Sequence, residues 1–289
     1  MNPLSFVAQM LRISVPYLFA ASGGVIAERS GIISLGLEGF MLTGAFSATL
    51  GAHYSGSPWI GVLTGILGGL VFGSIHAIAS IRFRADQVIV GIALNLLAVG
   101  VTRFFLKLAF ASSSNSPRIN GFPSNAAAFG FDNPLLWMGL LTAPVLAFVL
   151  YRTRYGLRVR AVGEHPDAAA SVGIPVARVR YMAVALSGML AGLGGVYLAL
   201  DQHQFTDQMT AGRGFIALAA VIFGRWDPIR AALACLLFAA AETLQIQLQG
   251  NHLVASQFIE MIPYLLTIIA LAGVVGRALP PAALGKTEQ

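Results

Sequence analysis

Two carboxylates stand inside long apolar segments of this 289-residue chain, where a charge is costly to bury. Glu38 lies within SLGLEGF and Glu242 within AAAETLQIQ. Ionisable residues at such positions usually serve a solute pathway, a proton relay or an ion pair. For Glu38, a carboxylate that reaches back toward Arg29 explains the sequence equally well. For Glu242, the sequence shows no evident partner.

The chain shows no set of residues that an enzyme or a metal site requires. None of its five histidines has a partner at ligand spacing, and its single cysteine, Cys235, lies in the apolar run ALACLLF. Gly285-Lys286-Thr287 looks like the end of a phosphate-binding loop, but Pro280 stands where that pattern needs a glycine. We therefore expect no catalytic residue, no metal and no cofactor bound by this chain.

The composition is that of a membrane protein. Hydrophobic residues make up 56% of the chain and charged residues 10%, whereas soluble domains carry about 25% charged residues. Because so few polar groups cannot cover a surface in water, most of the surface must face lipid. The net charge of +6 is small for a nucleic-acid binder, and we expect no nucleic-acid partner.

Long apolar runs predict an all-α, polytopic fold with about nine membrane helices, within a range of eight to ten. A hydrocarbon core about 30 Å thick requires roughly 20 apolar residues per helix. The predicted segments are 5–27, 31–52, 58–80, 87–110, 134–151, 179–200, 213–224, 229–249 and 256–277. The seventh is short and bounded by glycines, which predicts a half-helix or a broken one.

Arginines concentrate in one charged segment, RTRYGLRVRAVGEHPDAAASVGIPVARVR at 152–180, which contains six of them. Basic residues beside membrane helices mark the cytoplasmic side. Placing this segment in the cytoplasm puts 13 of the 18 basic residues on that side. The N-terminus is then predicted outside and the C-terminus in the cytoplasm. Between the basic clusters, Glu164 to Gly173 is expected to contain a short helix, which Pro166 begins and Gly173 ends.

The two halves of the chain show a weak repeat. The matches are Gly23-Gly24-Val25 with Gly194-Gly195-Val196, Pro58 with Pro228, and Gln87 with Gln257, at offsets of 171, 170 and 170. We interpret residues 1–289 as a single domain. Its parts are a first repeat over about 5–110, a connector span and cytoplasmic loop over about 134–178, and a second repeat over about 179–277. Because the connector contains one span, the second repeat would run inverted, as in many transporters.

Glycines recur every fourth residue in two predicted spans. They are Gly61, Gly65, Gly69 and Gly73 in the third span, and Gly188 and Gly192 in the sixth. A helix face without side chains lets a neighbouring backbone approach closely, so this spacing predicts tight helix packing.

Four long blocks carry a family resemblance. They are GGVIAERSGIISLGLEGFMLTGAF (23–46), DQVIVGIALNLLAVGVTRF (86–104), YGLRVRAVGEHPDAAASVGI (155–174) and GFIALAAVIFGRWDP (214–228). These blocks resemble the bacterial ABC-importer permeases of the branched-chain amino acid and simple-sugar superfamily, and most of all its nucleoside permeases. The resemblance extends over nearly the whole chain.

The resemblance implies a transmembrane subunit of the bacterial inner membrane without enzymatic activity of its own. It implies three protein partners: a paralogous permease chain, a cytosolic ABC ATPase that binds ATP and Mg²⁺, and an extracytoplasmic substrate-binding protein. The short helix would be the family's coupling helix, which contacts the ATPase. The matching residues are Glu164, His165, Pro166, Asp167, Ala168, Ala169, Ala170 and Gly173.

A nucleoside path needs hydrogen-bonding groups for a ribose and a base, and apolar surface for stacking. The candidate path residues, all polar and within predicted spans, are Glu38, Thr43, Ser47, Gln87, Asn95, Ser187, Glu242, Gln245 and Gln257. Packing between helices explains Asn95 equally well. The candidates for stacking are Phe40, Phe46 and Phe215.

Two polar segments are predicted to lie outside. Residues 111–133 are a candidate contact for the binding protein, and residues 201–214 are a candidate outer gate, with Gln204, Phe205, Asp207 and Gln208. Two other functions are compatible with the sequence. One is the same machinery carrying a simple sugar or a branched-chain amino acid, and the other is a stand-alone carrier driven by protons or sodium.

Overall fold

A computed structural model describes residues 3–122, 131–249 and 279–286 of the chain. Within these residues every regular element is helical, as predicted. The elements are α1 (Pro3–Arg29), α2 (Leu37–Ser55), α3 (Pro58–Ala77), a π-helical turn (Ile78–Arg82), α4 (Gln87–Phe110), α5 (Pro134–Arg152), α6 (Arg154–Glu164), α7 (Pro166–Ser171), α8 (Val176–Gln202), α9 (Arg213–Phe223) and α10 (Pro228–Leu248).

Six helices of the described part are long and apolar enough to cross a membrane: α1, α3, α4, α5, α8 and α10. Helix α9 has 11 residues, about 16 Å at 1.5 Å per residue, and covers only half of a bilayer core. The predicted half-helix is therefore present. The ninth predicted span, 256–277, lies outside the described residues, so the count of nine stays a prediction.

The predicted start of the second span was wrong. We expected it at residue 31, but α2 begins at Leu37 and residues 30–36 form a non-helical connector. Gly31 leaves α1 with a φ of +95°, a conformation that favours glycine. Side chains bond the connector's backbone, since Gln87 Oε1 accepts from Ile33 N at 2.7 Å and Glu28 Oε1, from the end of α1, accepts from Ser34 N at 3.3 Å. These tertiary hydrogen bonds replace those that a helix would supply.

The centre of the bundle consists of α1, α2 and α8, against which α3 packs. Glycines on α2, α3 and α8 let the backbones meet, as predicted. A Cβ at Gly44 would lie 2.5 Å from Gly192 Cα, and a Cβ at Gly69 would overlap the carbonyl of Gly188. Lipid tails are as apolar as these helices, so close van der Waals packing rather than burial from water holds them together.

Helix starts are set by local sequence. Asp86 accepts from the N–H groups of Val88 and Ile89 at the start of α4, and Asp227 caps α10 in the same way. Pro134 and Pro228 occupy first helical positions, where a missing N–H costs nothing.

Helix α6 was not predicted as a separate element. Thr153 caps it by accepting from Gly156 N at 3.2 Å, and Val159 and Val162 are fully buried. Its arginines are spread around these two valines, which is typical of an amphipathic surface helix. Burial raises the pKa of the Tyr155 phenol to about 12, so this hydroxyl stays neutral.

Candidate functional site

The predicted short helix is present as α7, at the end of the bundle that also carries α6 and the last turn of α1. We call this end the α7 face. Pro166 occupies the first turn, and Ala169 N donates to His165 O at 3.0 Å. Gly173 ends the segment with a φ of +83°, and its N–H donates to Ala170 O at 2.9 Å. Glu164 belongs to α6 instead, because the backbone turns away from helical geometry at His165.

The six residues of α7 have an inner and an outer side. Ala169 is buried at 4% exposure, whereas Asp167, Ala168 and Ala170 are exposed. Val172, just after the helix, is 75% exposed. The surface that α7 offers to a partner is therefore small and lacks Ala169, although the sequence treated the three alanines alike.

Contacts around the end of α1 connect the α7 face to the membrane helices. A Cβ at Gly163 would overlap the carbonyl of Arg29, so the end of α6 lies directly on the backbone of α1. The Arg29 Nε donates to Trp226 O at 2.7 Å, and Trp226 Nε1 donates to Glu28 Oε2 at 2.5 Å. These bonds tie α1 to the turn between α9 and α10. The end of α6 is thereby connected, through α1, to the turn between α9 and α10.

Glu38 joins two helix starts in the interior. It lies in the first turn of α2, and its carboxylate accepts from Thr210 Oγ1 at 2.6 Å, Gly212 N at 2.9 Å and Gly214 N at 2.7 Å. Gly212 and Gly214 flank the beginning of α9, so Glu38 caps a helix that starts more than 170 residues later. A negative charge is favoured at a helix N-terminus because the unpaired N–H groups carry partial positive charge. The link back to Arg29 that the sequence suggested is not made.

Glu242 has the partner that the sequence did not reveal. Arg213 Nη2 lies 3.0 Å from Glu242 Oε1, and the Tyr17 hydroxyl donates to Glu242 Oε2. The pair joins α9, α10 and α1. Pairing of this kind is how charges are usually accommodated within membrane helices.

Three predicted path residues brace the 30–36 connector instead of sharing one cavity. Gln87 accepts from Ile33 N, as described above. Asn95 accepts from Gly39 N at 2.8 Å and donates to Leu35 O at 3.0 Å. The Ser187 hydroxyl lies 3.2 Å from that of Ser34. The side chains of Gln87, Asn95 and Ser187 therefore hold the start of α2 in place.

Thr43 and Ser47 do share a cavity, which lies between α2, α3 and α4 and has a volume of about 490 Å³. Phe46, one of the stacking candidates, lines it together with Phe72 and Phe105. The Thr43 hydroxyl donates to Gly39 O at 2.9 Å, so its oxygen still has capacity to accept a hydrogen bond. The volume is in the range of small-molecule sites.

The remaining predicted path residues lie elsewhere. Gln245, like Glu242, is on α10 and outside this cavity. Gln257 falls outside the described residues. Phe40 is fully buried beside His76, with ring centroids 6.0 Å apart, and Phe215 is 48% exposed.

The predicted outer gate belongs to a loop, residues 203–212, at the end of the bundle opposite the α7 face. Phe205 is fully buried and packs edge-to-face on Phe46, with ring centroids 5.3 Å apart. Asp207 forms an ion pair with Arg103 of α4 at 2.7 Å. Gln204 is half-buried and Gln208 is exposed. Through Phe205, this loop contacts Phe46, which also lines the cavity.

A second loop supports the gate residues. Ser116 N donates to Phe205 O, and Ile119 N donates to His203 O, both at 2.9 Å. These bonds come from the described part of the polar 111–133 segment. The two segments predicted to lie outside are therefore in contact.

Comparison with known proteins places the chain among permeases. The family described as "Branched-chain amino acid transport system / permease component" matches residues 6–271. The nucleoside ABC transporter permease NupC of Lactococcus lactis is 40% identical, over 96% of this chain and 95% of that protein. The guanosine ABC transporter permease NupQ of Bacillus subtilis is 39% identical, over 96% and 94%.

A more distant relative comes from the same organism as the first. The nucleoside ABC transporter permease NupB of Lactococcus lactis is 26% identical, over 82% of this chain and 71% of that protein. Among solved structures, an ABC transporter described as of the metal-chelate type, in an inward-facing conformation, aligns with a TM-score of 0.56. The two chains share 15% identity, and the alignment covers 92% of this chain and 84% of that one, which shows a common fold.

Proposed function

The chain belongs to the family of permease components of branched-chain amino acid transport systems, and from that premise we propose that it is a nucleoside-importing permease of an ABC transporter. The observation that supports the substrate is the identity of 39–40%, over nearly the full length, to permeases named for nucleoside and guanosine transport. As a permease it is a transport component and not an enzyme. ATP and Mg²⁺ would bind to a separate ATPase chain.

A second permease is the first expected partner. Lactococcus lactis has both a close relative of this chain, NupC, and a more distant one, NupB. Two distinct permeases of one naming series support a heterodimer, in which this chain takes the NupC-like position. Lipid covers the remaining apolar surface.

The α7 face is the proposed docking site for the ATPase. The exposed side chains Asp167, Ala168 and Ala170 form a small protrusion that a groove on a soluble protein can enclose. The substrate-binding protein would dock on the other end, at the 111–133 and 201–214 segments. This arrangement places the α7 face in the cytoplasm of a bacterial cell, with the N-terminus outside and the C-terminus inside. The arginines of α6 beside it support that orientation.

A mutual contact between α1 and α8 supports the inverted repeat. A Cβ at Gly23 would lie 2.7 Å from Ser187 O, and a Cβ at Gly194 would lie 2.9 Å from Pro16 O. The offset of 171 relates Gly23 to Gly194 and also Pro16 to Ser187. In an inverted repeat, both contacts would be one contact seen from the two sides of a pseudo-two-fold axis. The path is expected near this axis, where transporter repeats meet.

Uptake by a reconstituted complex tests the proposal. Proteoliposomes are prepared with this chain, its partner permease and the ATPase, and the binding protein is added outside. They should accumulate radiolabelled nucleosides only when ATP is enclosed on the side of the membrane where the ATPase lies. Labelled simple sugars and branched-chain amino acids are the comparison substrates. Accumulation of one of these instead would reassign the substrate. Accumulation by this chain alone, driven by a proton or sodium gradient, would overturn the permease proposal.

A variant of α7 checks the docking site within the same assay. Ala170→Arg places a long charged side chain on the exposed side of α7 and should reduce ATP-driven uptake. The same change at Ala169 is a poor test, because that side chain is buried and an arginine there would displace α7 itself. Full uptake by Ala170→Arg would argue against the contact.

A further inference from the structure

A short segment near the C-terminus lies at the α7 face. Residues 279–286, which we call the C-terminal strap, lie across this face. The side chains of Pro281 and Ala283 are buried, whereas those of Pro280 and Ala282 are exposed. The alternation of exposed and buried side chains over residues 280–283 shows that this part of the strap is docked on the protein rather than loosely attached.

Three backbone N–H groups of the strap are bonded to two separate parts of the protein. Ala283 N donates to Gly163 O at 2.9 Å, and Ala282 N donates to Glu164 Oε2 at 3.2 Å, both at the end of α6. Gly285 N donates to Gly31 O at 3.1 Å, at the start of the connector after α1. The strap therefore bridges the last residues before α7 and the first residues after α1.

The three backbones meet at glycines. A Cβ at Gly31 would lie 3.3 Å from Ala283 O, and one at Gly163 would overlap Arg29 O. Gly285 has a φ of +75° and packs on Ile33. The end of α1 thus lies in close backbone contact with the end of α6 at Gly163 and with the strap at Gly31.

Helix α7 needs such support because its own attachment is small. Within α7, Ala169 is the buried side chain, and the backbone bends at His165 immediately before it. A force applied to α7 alone would bend the chain at His165. The strap bonds the two residues that precede this bend, Gly163 and Glu164.

We propose that the C-terminal strap is a positioning element for α7, which makes α6, α7 and the end of α1 move as one body. This role rests on the proposed function, because it assumes that a partner pushes on α7. The strap itself contacts neither solute nor nucleotide. Its loss would leave the partner bound but its movement poorly transmitted to α1.

Two neighbouring alanines provide a matched test in the complete transporter. Ala283→Gln inserts a long side chain at a buried position and should displace the strap, whereas Ala282→Gln changes an exposed one. A truncated variant that ends at residue 278 lacks the strap altogether. The number of nucleosides imported per ATP hydrolysed should fall about fivefold or more in Ala283→Gln and in the shortened chain, with ATP hydrolysis retained and Ala282→Gln unchanged.

Hydrogen exchange on the purified permease gives a readout that needs no substrate. Amides between residues 161 and 174 should exchange faster in Ala283→Gln than in the unmodified chain, with α8 unchanged. Equal exchange in all variants would overturn the proposal even if the unmodified complex imports nucleosides. A fall of uptake and hydrolysis in parallel, at a constant ratio, would also overturn it. Failure of the unmodified complex to import any nucleoside would count against the proposed function alone, since the exchange result stands by itself.

Discussion

The two ends of the helix bundle are held together in different ways. At the α7 face, backbone meets backbone, as where Gly163 lies on the carbonyl of Arg29. At the opposite end, side chains fasten the 203–212 loop to the helices, through Arg103 with Asp207 and Phe46 with Phe205. A side-chain contact can be released by a change of rotamer, whereas a backbone contact moves only with its helix. This difference is consistent with the proposed docking of the ATPase at the α7 face and with the proposed gate at the 203–212 loop.

Hydrogen bonds in the interior connect the helices that lead to the two ends. Glu38 holds the start of α9 against the start of α2, close to where the two halves of the proposed repeat meet. The connector that positions α2 is in turn braced by Gln87, Asn95 and Ser187. Glu38 contacts the 203–212 loop through Thr210 and Gly212, and the connector begins at the α7 face with Gly31.

The largest effect is expected from Glu38→Ala, which removes the hydrogen bonds between α2 and the start of α9. Gly212 N and Gly214 N would lose their acceptor, and an unsatisfied buried N–H costs about 1–3 kcal/mol. We expect a marked fall in the thermal unfolding temperature of the detergent-purified chain, together with loss of uptake. Glu38→Gln keeps one acceptor oxygen, so its unfolding temperature should lie between those of the unmodified chain and of Glu38→Ala. Loss of uptake at unchanged stability in both variants would instead place Glu38 in the solute path.

A smaller effect is expected from Gly163→Ala, which adds one methyl group between the backbones of α6 and α1. Overpacking of this kind costs about 1–3 kcal/mol, and the α7 face has no side chain that can give way. Uptake should fall along with the unfolding temperature. Gly100→Ala in α4 is the control, because a Cβ there meets nothing within 4 Å. Equal stability of the two variants would show that the α7 face is more adaptable than its contacts indicate.

The smallest effect is expected at the opposite end, from Arg103→Ala. Both partners of the ion pair are partly exposed, so solvent and salt screen it. The unfolding temperature should hardly change, while amides in the 203–212 loop should exchange with deuterium somewhat faster. Lys107→Ala, one turn further along α4, removes the same charge without touching Asp207 and should leave the loop unchanged. A large loss of stability in Arg103→Ala would contradict the view that the side-chain contacts of the 203–212 loop are independent of one another.

Short local patterns predicted several elements because their physical cause is local. Pro166 and Gly173 bounded α7 through fixed backbone preferences, and the glycines around 213–224 indicated a half-helix. The start of α2 was missed because side chains stabilise its connector outside a helix, and one of them, Gln87, lies 54 residues away from its partner Ile33. Helix α6 was missed because its arginines were read only as a topology signal, although Val159 and Val162 follow a helical spacing.

The candidate site likewise has features that the sequence predicted and features that only the tertiary structure shows. The sequence by itself determined that the chain is a polytopic helical membrane protein, that most of its long apolar segments form helices, and that a short helix follows the arginine-rich segment, because composition, hydropathy and Pro/Gly geometry act along the chain. The tertiary structure alone decided what the buried polar groups do. Glu38 meets Gly212 and Gly214, Glu242 meets Arg213 and Tyr17, and Ala283 meets Gly163, across separations of 29 to 225 residues. No local pattern records such pairs, because a buried polar group takes whichever donor or acceptor helix packing brings within reach.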